Sequence, residues 1–147
     1  MEKMKLFTIG FTQKSAEAFF SAVKNSGAER IVDVRLNNTS QLAGFAKQAD
    51  LRFFLRQICG VDYRHEPLLA PTADILDAYK KKRMGWDEYE RHFVDLIRQR
   101  RIEKTVSKEI LSGGCLLCSE ATPHQCHRRL VAEYLSEHWG DVGVSHL

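Results

Sequence analysis

The stretch GGCLLCSEATPHQCHRRLVAEYLSEHW, residues 113–139, decides the fold. Its first part is short and apolar, opened by two glycines and closed by Ser119 and Glu120, which reads as a buried strand. Its last part places Leu130, Val131, Tyr134 and Leu135 on one side of a helix. Between the two, Thr122-Pro123-His124-Gln125 matches a capping box with proline at the first helical position, setting Cys126, His127 and Arg128 near the first turn.

The same alternation runs outward along the chain. Residues 6–9 are apolar and β-rich, end at Gly10, and precede a segment with Ala16, Phe19, Phe20 and Val23 at helical spacing, closed by Gly27. Residues 31–34 read as a second strand. A helix follows with Leu51, Phe54, Leu55 and Ile58 on one face and Gly60 at its end. A third strand is expected over 61–65, cut short by Pro67 and Pro71. Helices are expected over 73–82 and 86–101, the second carrying Trp86, Tyr89, Phe93, Leu96 and Ile97 on one side, and VGVSHL forms a last strand. Strands alternating with helices predict an α/β fold: one three-layer, Rossmann-like domain over 1–147, with a mostly parallel sheet flanked by helices. Such sheets bind ligands outside the carboxyl ends of their strands. Gly10 to Thr12, residues 35–40, His65 with Glu66, and residues 118–128 fall there.

The bulk numbers agree. A chain of 147 residues with 44% hydrophobic and 28% charged content has the balance of a globular protein, without repeats or low-complexity segments. A net charge of +3 tolerates an anionic ligand but falls short of a densely basic nucleic-acid surface. The opening MEKMKLFTIGFTQ has no apolar run of signal-peptide length, and no stretch approaches the roughly 20 apolar residues of a membrane span. A cytoplasmic protein without membrane partners is expected, its four cysteines thiols or metal ligands rather than disulfides.

Zinc is one reading of the cysteine-rich segment, since Cys115, Cys118, Cys126 and His127 supply enough sulfur and nitrogen for a tetrahedral site. Against it, residues three apart on a strand point to opposite faces, and Leu116 and Leu117 fill the place of a knuckle's tight turn. The pair also precedes the helix, where a redox Cys-x2-Cys would open it. Cys115 and Cys118 therefore read as small core residues, and no metal is assigned. Where a cysteine phosphatase loop requires an arginine, counting from Cys59, Cys115, Cys118 and Cys126, stand His65, Ala121, His124 and Ala132. The common glycine-rich nucleotide loops are missing too. What remains is a helix start, where a Cys126 thiolate is favoured by the helix dipole and by His127 and Arg128, and where free amides bind anions. Glu120 is the candidate general base. Of the adjacent arginines, Arg128 is expected inward and Arg129 in solvent.

Thr8-Ile9-Gly10, Asp33-Val34-Arg35, Ser40 with Phe45, Leu117-Cys118-Ser119-Glu120 and Cys126-His127-Arg128, in that order and spacing, resemble the family catalogued as domain of unknown function 488. The resemblance runs from residue 6 to about 135. It implies a compact α/β domain with a shared polar pocket and no established reaction. Phe11 and Thr12 stand where the family usually has a histidine or tyrosine and a serine, and its proline after Asp-Val-Arg is missing within Leu36-Asn37-Asn38.

Asp33 and Arg35 share a strand face, so Asp33 either orients Arg35 or lines the pocket beside it. His65, between Arg64 and Glu66, is a weaker candidate. YKKKRMGW, residues 79–86, is the densest basic run, most simply a solvated helix face. The resulting expectation is a cytoplasmic α/β protein with an anion-binding cleft, acting on a small anionic or nucleotide-like substrate. Glu120 and Cys126 are the candidate catalytic residues; Gly10, Arg35, Ser40, Cys118, His127 and Arg128 bind substrate; the cofactor is left unassigned. The alternatives are a non-enzymatic domain binding nucleic acid or protein, and a zinc-stabilised domain.

Overall fold

The computed structural model describes residues 4–36, 44–118 and 126–147. Five strands, β1 (Met4–Gly10), β2 (Arg30–Asp33), β3 (Asp62–His65), β4 (Gly114–Cys118) and β5 (Val142–His146), form one sheet in the order β3-β2-β4-β1-β5. Every pairing is parallel. The helices are α1 (Ala16–Ser26), α2 (Gln48–Phe54), α3 (Ala73–Lys80), α4 (Trp86–Arg100), the short α5 (Ile102–Thr105) and α6 (Lys108–Leu111), and α7 (His127–Trp139).

The decisive stretch occupies the centre. β4 sits between β2 and β1, and all five of its residues are buried. Strand periodicity divides them between two faces. Cys115 and Leu117 join Phe7, Ile9 and Ile31 beneath Phe19, Phe20 and Val23 of α1 and Leu51 of α2. Leu116 joins Leu6, Val32 and Val34 beneath Phe93 and Ile97 of α4 and Leu130, Val131 and Leu135 of α7. Cys118 lies on this second face and Cys115 on the first, so the strand geometry separates the pair as its spacing predicts. Burying a side chain such as Phe93 contributes about 1.5–3 kcal/mol, and this two-sided burial is what holds the layers together.

Local chemistry sets the helix ends. The Ser15 hydroxyl accepts from the Ala18 amide to cap α1, and Gly27 closes it at φ 81°, the left-handed conformation that glycine adopts without Cβ strain. α2 departs from its expected face. It runs on into a π-helical turn, Leu55–Cys59, and that wider turn puts its residues out of phase with the α-helical face. Ile58, expected inward, is 46% exposed. α7 begins at His127, later than the expected start at Pro123, because Cys126 is extended and serves as its N-cap; the expected capping box lies outside the described residues.

Register positions the site. In the parallel pairing Gly10 lies across from Cys118, Asp33 across from Leu117, and Asp33 also across from His65. The carboxyl ends of four strands therefore finish level with one another. Among the described residues, no helix is long and apolar enough to cross a membrane.

Candidate functional site

β2 ends at Asp33, and the chain beyond it is tied down on both sides. The Val34 amide donates to the Leu117 carbonyl (3.1 Å), and the Glu66 amide donates to the Asp33 carbonyl (2.9 Å). Four donors converge on the Asp33 carboxylate: Arg35 Nε (2.8 Å) and the Arg35 amide (3.1 Å) on Oδ1, Arg35 Nη2 (2.8 Å) and the Tyr63 hydroxyl on Oδ2. The carboxylate is fully buried and Arg35 is 3% exposed. Such a two-pronged pair fixes the guanidinium plane as well as its charge. Its third nitrogen, Nη1, is buried and has no hydrogen-bond partner among the described residues. The Phe11 ring lies beneath the guanidinium, 5.3 Å from centroid to Cζ. Asp33 thus orients Arg35 and leaves one donor for something else.

Two histidines hold the backbone beside this pair. His65 Nε2 lies 2.8 Å from the Arg35 carbonyl, and His127 Nε2 lies 2.7 Å from the Val34 carbonyl. A carbonyl oxygen only accepts, so each Nε2 carries the hydrogen. In the neutral His127 ring this leaves the Nδ1 lone pair, which faces Cys118 Sγ at 3.5 Å. The Phe93 ring packs against the same imidazole at 5.3 Å between centroids.

Cys126 completes this second cluster, buried at 2% exposure. Burial first, and the neighbouring Cys118 second, push its thiol well above the ordinary range, outweighing the contrary pull of His127. The expectation of a thiolate stabilised at the helix start is therefore reversed, because desolvation of the charged sulfur exceeds what the helix end and His127 return. Arg128 is completely buried. Its charge is felt by three groups: after burial itself, it is the cause that lowers Lys14 and His146, and it opposes the rise that burial imposes on Cys115. Arg129 instead reaches Glu133 at 3.0 Å near the surface.

Of the residues singled out in the sequence, Gly10, Cys118, Cys126, His127 and Arg128 gather about the ends of β1 and β4 and the start of α7. Arg35 lies on the other face of the sheet with Asp33, joined to them through Val34. Ser40 and Glu120 lie outside the described residues. The basic residues 80–83 are exposed at the end of α3, but the flanking Tyr79 and Trp86 rings turn onto one another and onto Tyr89. Sequence reasoning missed Tyr63 and Lys14. Tyr63 had a signal: it stands two before His65, on the strand face that meets Asp33. Lys14 belongs to no motif in the sequence.

Fold and site together define an α/β protein with buried basic and thiol groups at the carboxyl ends of a parallel sheet. A family model described as Domain of unknown function DUF488 matches residues 15–135, and the chain belongs to that family. No curated protein and no solved structure matches it.

Proposed function

We propose that the protein binds a small anionic, nucleotide-like ligand at the carboxyl ends of its strands, with Arg35 as the anchoring donor. The observation that carries this reading is Arg35 Nη1: a buried cationic donor without a partner among the described residues, on a guanidinium held rigid by Asp33. A donor left unmet in this way costs about 1–3 kcal/mol, which an anionic acceptor would return. Arg128 and Lys14 add positive charge near the end of β1. In this reading Gly10, Ser40, Cys118 and His127 shape the pocket, and Glu120 moves the proton. Cys126, whose thiol burial pushes well above its ordinary range, lines the pocket rather than attacking the ligand.

A thermal-shift series with phosphate, nucleoside mono- and diphosphates and dicarboxylates tests it. A ligand at a hundred times its Kd adds about 2.7 kcal/mol of stability, visible as a rise in Tm. The rise is expected for the wild-type chain and should vanish in Arg35→Lys, which keeps the charge and loses the fork. Activity on the bound compound that is lost in Glu120→Gln would make the protein an enzyme; binding that survives without turnover would make it a binding domain.

A second reading, association with nucleic acid, is favoured by a groove of about 590 Å³ at the β3 edge lined by Arg30, Arg52, Arg56 and Arg64. Residues 80–83, exposed at the end of α3, are a separate basic run. Oligonucleotide binding at low salt that weakens when residues 80–83 are neutralised would support it.

A further inference from the structure

We infer that Cys118, Cys126 and His127 form a binding site for a divalent transition-metal ion of the zinc class. Their ligand atoms, two Sγ and one imidazole nitrogen, all lie within 4.8 Å of one another, and all three side chains are buried. Of the four candidate donors Cys115 alone faces the opposite side of the sheet, so strand geometry excludes it and leaves the other three together. Cys118 shares its face with α7, and the N-cap and first residue of that helix bring the other two donors to it.

Three features point to a metal rather than to a thiol cluster in an apolar core. The donor set is soft sulfur with imidazole, the chemistry that selects zinc over hard cations. The imidazole is held with Nε2–H on the Val34 carbonyl at 2.7 Å and Nδ1 toward sulfur, the outer hydrogen bond with which proteins orient a ligating histidine. The donors also come from two separate elements, the end of β4 and the start of α7, so an ion would clasp the central strand to the last helix. Binding replaces two S–H bonds with two metal–sulfur bonds and releases two protons to solvent, with no change of oxidation state. Among the described residues three ligands are present, and a tetrahedral ion would take a fourth donor.

The site shares Cys118, Cys126 and His127 with the pocket proposed above but does not rest on it, since the anchoring donor there is Arg35 on the other face. The full chain, stripped with chelator under reducing conditions, is titrated with Co²⁺ alone and then with Zn²⁺. One equivalent of Co²⁺ should bind with an intense sulfur-to-cobalt charge-transfer band, and Zn²⁺ should erase it. Cys118→Ser and Cys126→Ser should each weaken binding by more than the roughly 10–100-fold typical of losing only an outer-shell partner. Cys59→Ser should leave it intact. Should the buried variants fail to fold, alkylation of the wild-type chain decides: Zn²⁺ must protect Cys118 and Cys126 and leave Cys59 reactive. Absence of the charge-transfer band in the wild-type chain, or Zn²⁺ protection that misses Cys118 and Cys126, overturns the inference.

Discussion

At Asp33 one carboxylate accepts from both prongs of Arg35, from the Arg35 amide and from Tyr63, so each partner has a separable effect. Tyr63→Phe removes one donor to a charged acceptor and should cost about 1.5–3 kcal/mol in urea unfolding. Arg35→Ala strands the buried carboxylate and should cost about 3–5 kcal/mol, and Arg35→Lys should recover only part of that. The Asp-x-Arg spacing made the pair legible, because strand parity alone puts both side chains on one face. The sequence left open whether Asp33 orients Arg35 or faces the pocket beside it. Asp33 holds Arg35 by its hydrogen bonds, and it also accepts from Tyr63, a partner about thirty residues away along the chain. Cys126 teaches the converse: its neighbours in sequence suggested a lowered pKa, while the cause that dominates is burial beneath residues from α4 and β4.

The elements were legible where a local signal marks both ends. α1 has Ser15 before it and Gly27 after it, and the observed helix fills the space between. Ser15→Ala should cost about 1 kcal/mol of stability by leaving the Ala18 amide without its acceptor. The π-helical turn at the end of α2 left no such mark, since its residues have the same apolar spacing as an ordinary helix, and the orientation of Ile58 was misread as a result. The short α5 and α6 were likewise missed, each being too brief to show a period. β5 carries a pH prediction. His146 Nδ1 lies 2.6 Å from the Thr8 hydroxyl of β1, and burial followed by the Arg128 charge lowers its pKa below the ordinary 6.5. The fold therefore favours the neutral ring: its contribution is full above 6.5 and is lost as pH falls through the lowered value. The protection factors of amides in β5, corrected for the intrinsic exchange rate, should fall on acidification while those in β4 stay high, and His146→Gln should flatten the difference. Exchange in β5 that is independent of pH-driven opening would contradict it.

For the whole molecule, the α/β class and the location of the unusual chemistry followed from strand and helix alternation, but the strand order did not. Nothing in the apolar pattern says that β4 inserts between β2 and β1; that depends on its being the strand buried most completely on both faces. The same burial predicts alkaline weakness. Cys115 is pushed up by burial, and Tyr134 is pushed up to about 12 by burial and then by donating to Glu103 at 2.6 Å. Groups raised in this way stabilise the fold fully below their ordinary values, 9.0 and 10.0, and lose that contribution as pH rises. Tm should fall progressively above pH 9.0, less steeply in Tyr134→Phe, with a pH-independent Tm as the contrary result. The central claim is that the sheet's carboxyl end holds an anion on Arg35. The most direct measurement is a crystal structure of the full chain grown with the phosphate or nucleotide giving the largest thermal shift. The account predicts density for an anionic oxygen within hydrogen-bond distance of Arg35 Nη1, the Asp33 clasp unchanged. Arg35 Nη1 satisfied by a protein acceptor, with the anion seated instead on residues 80–83 or along the β3 edge, would contradict it.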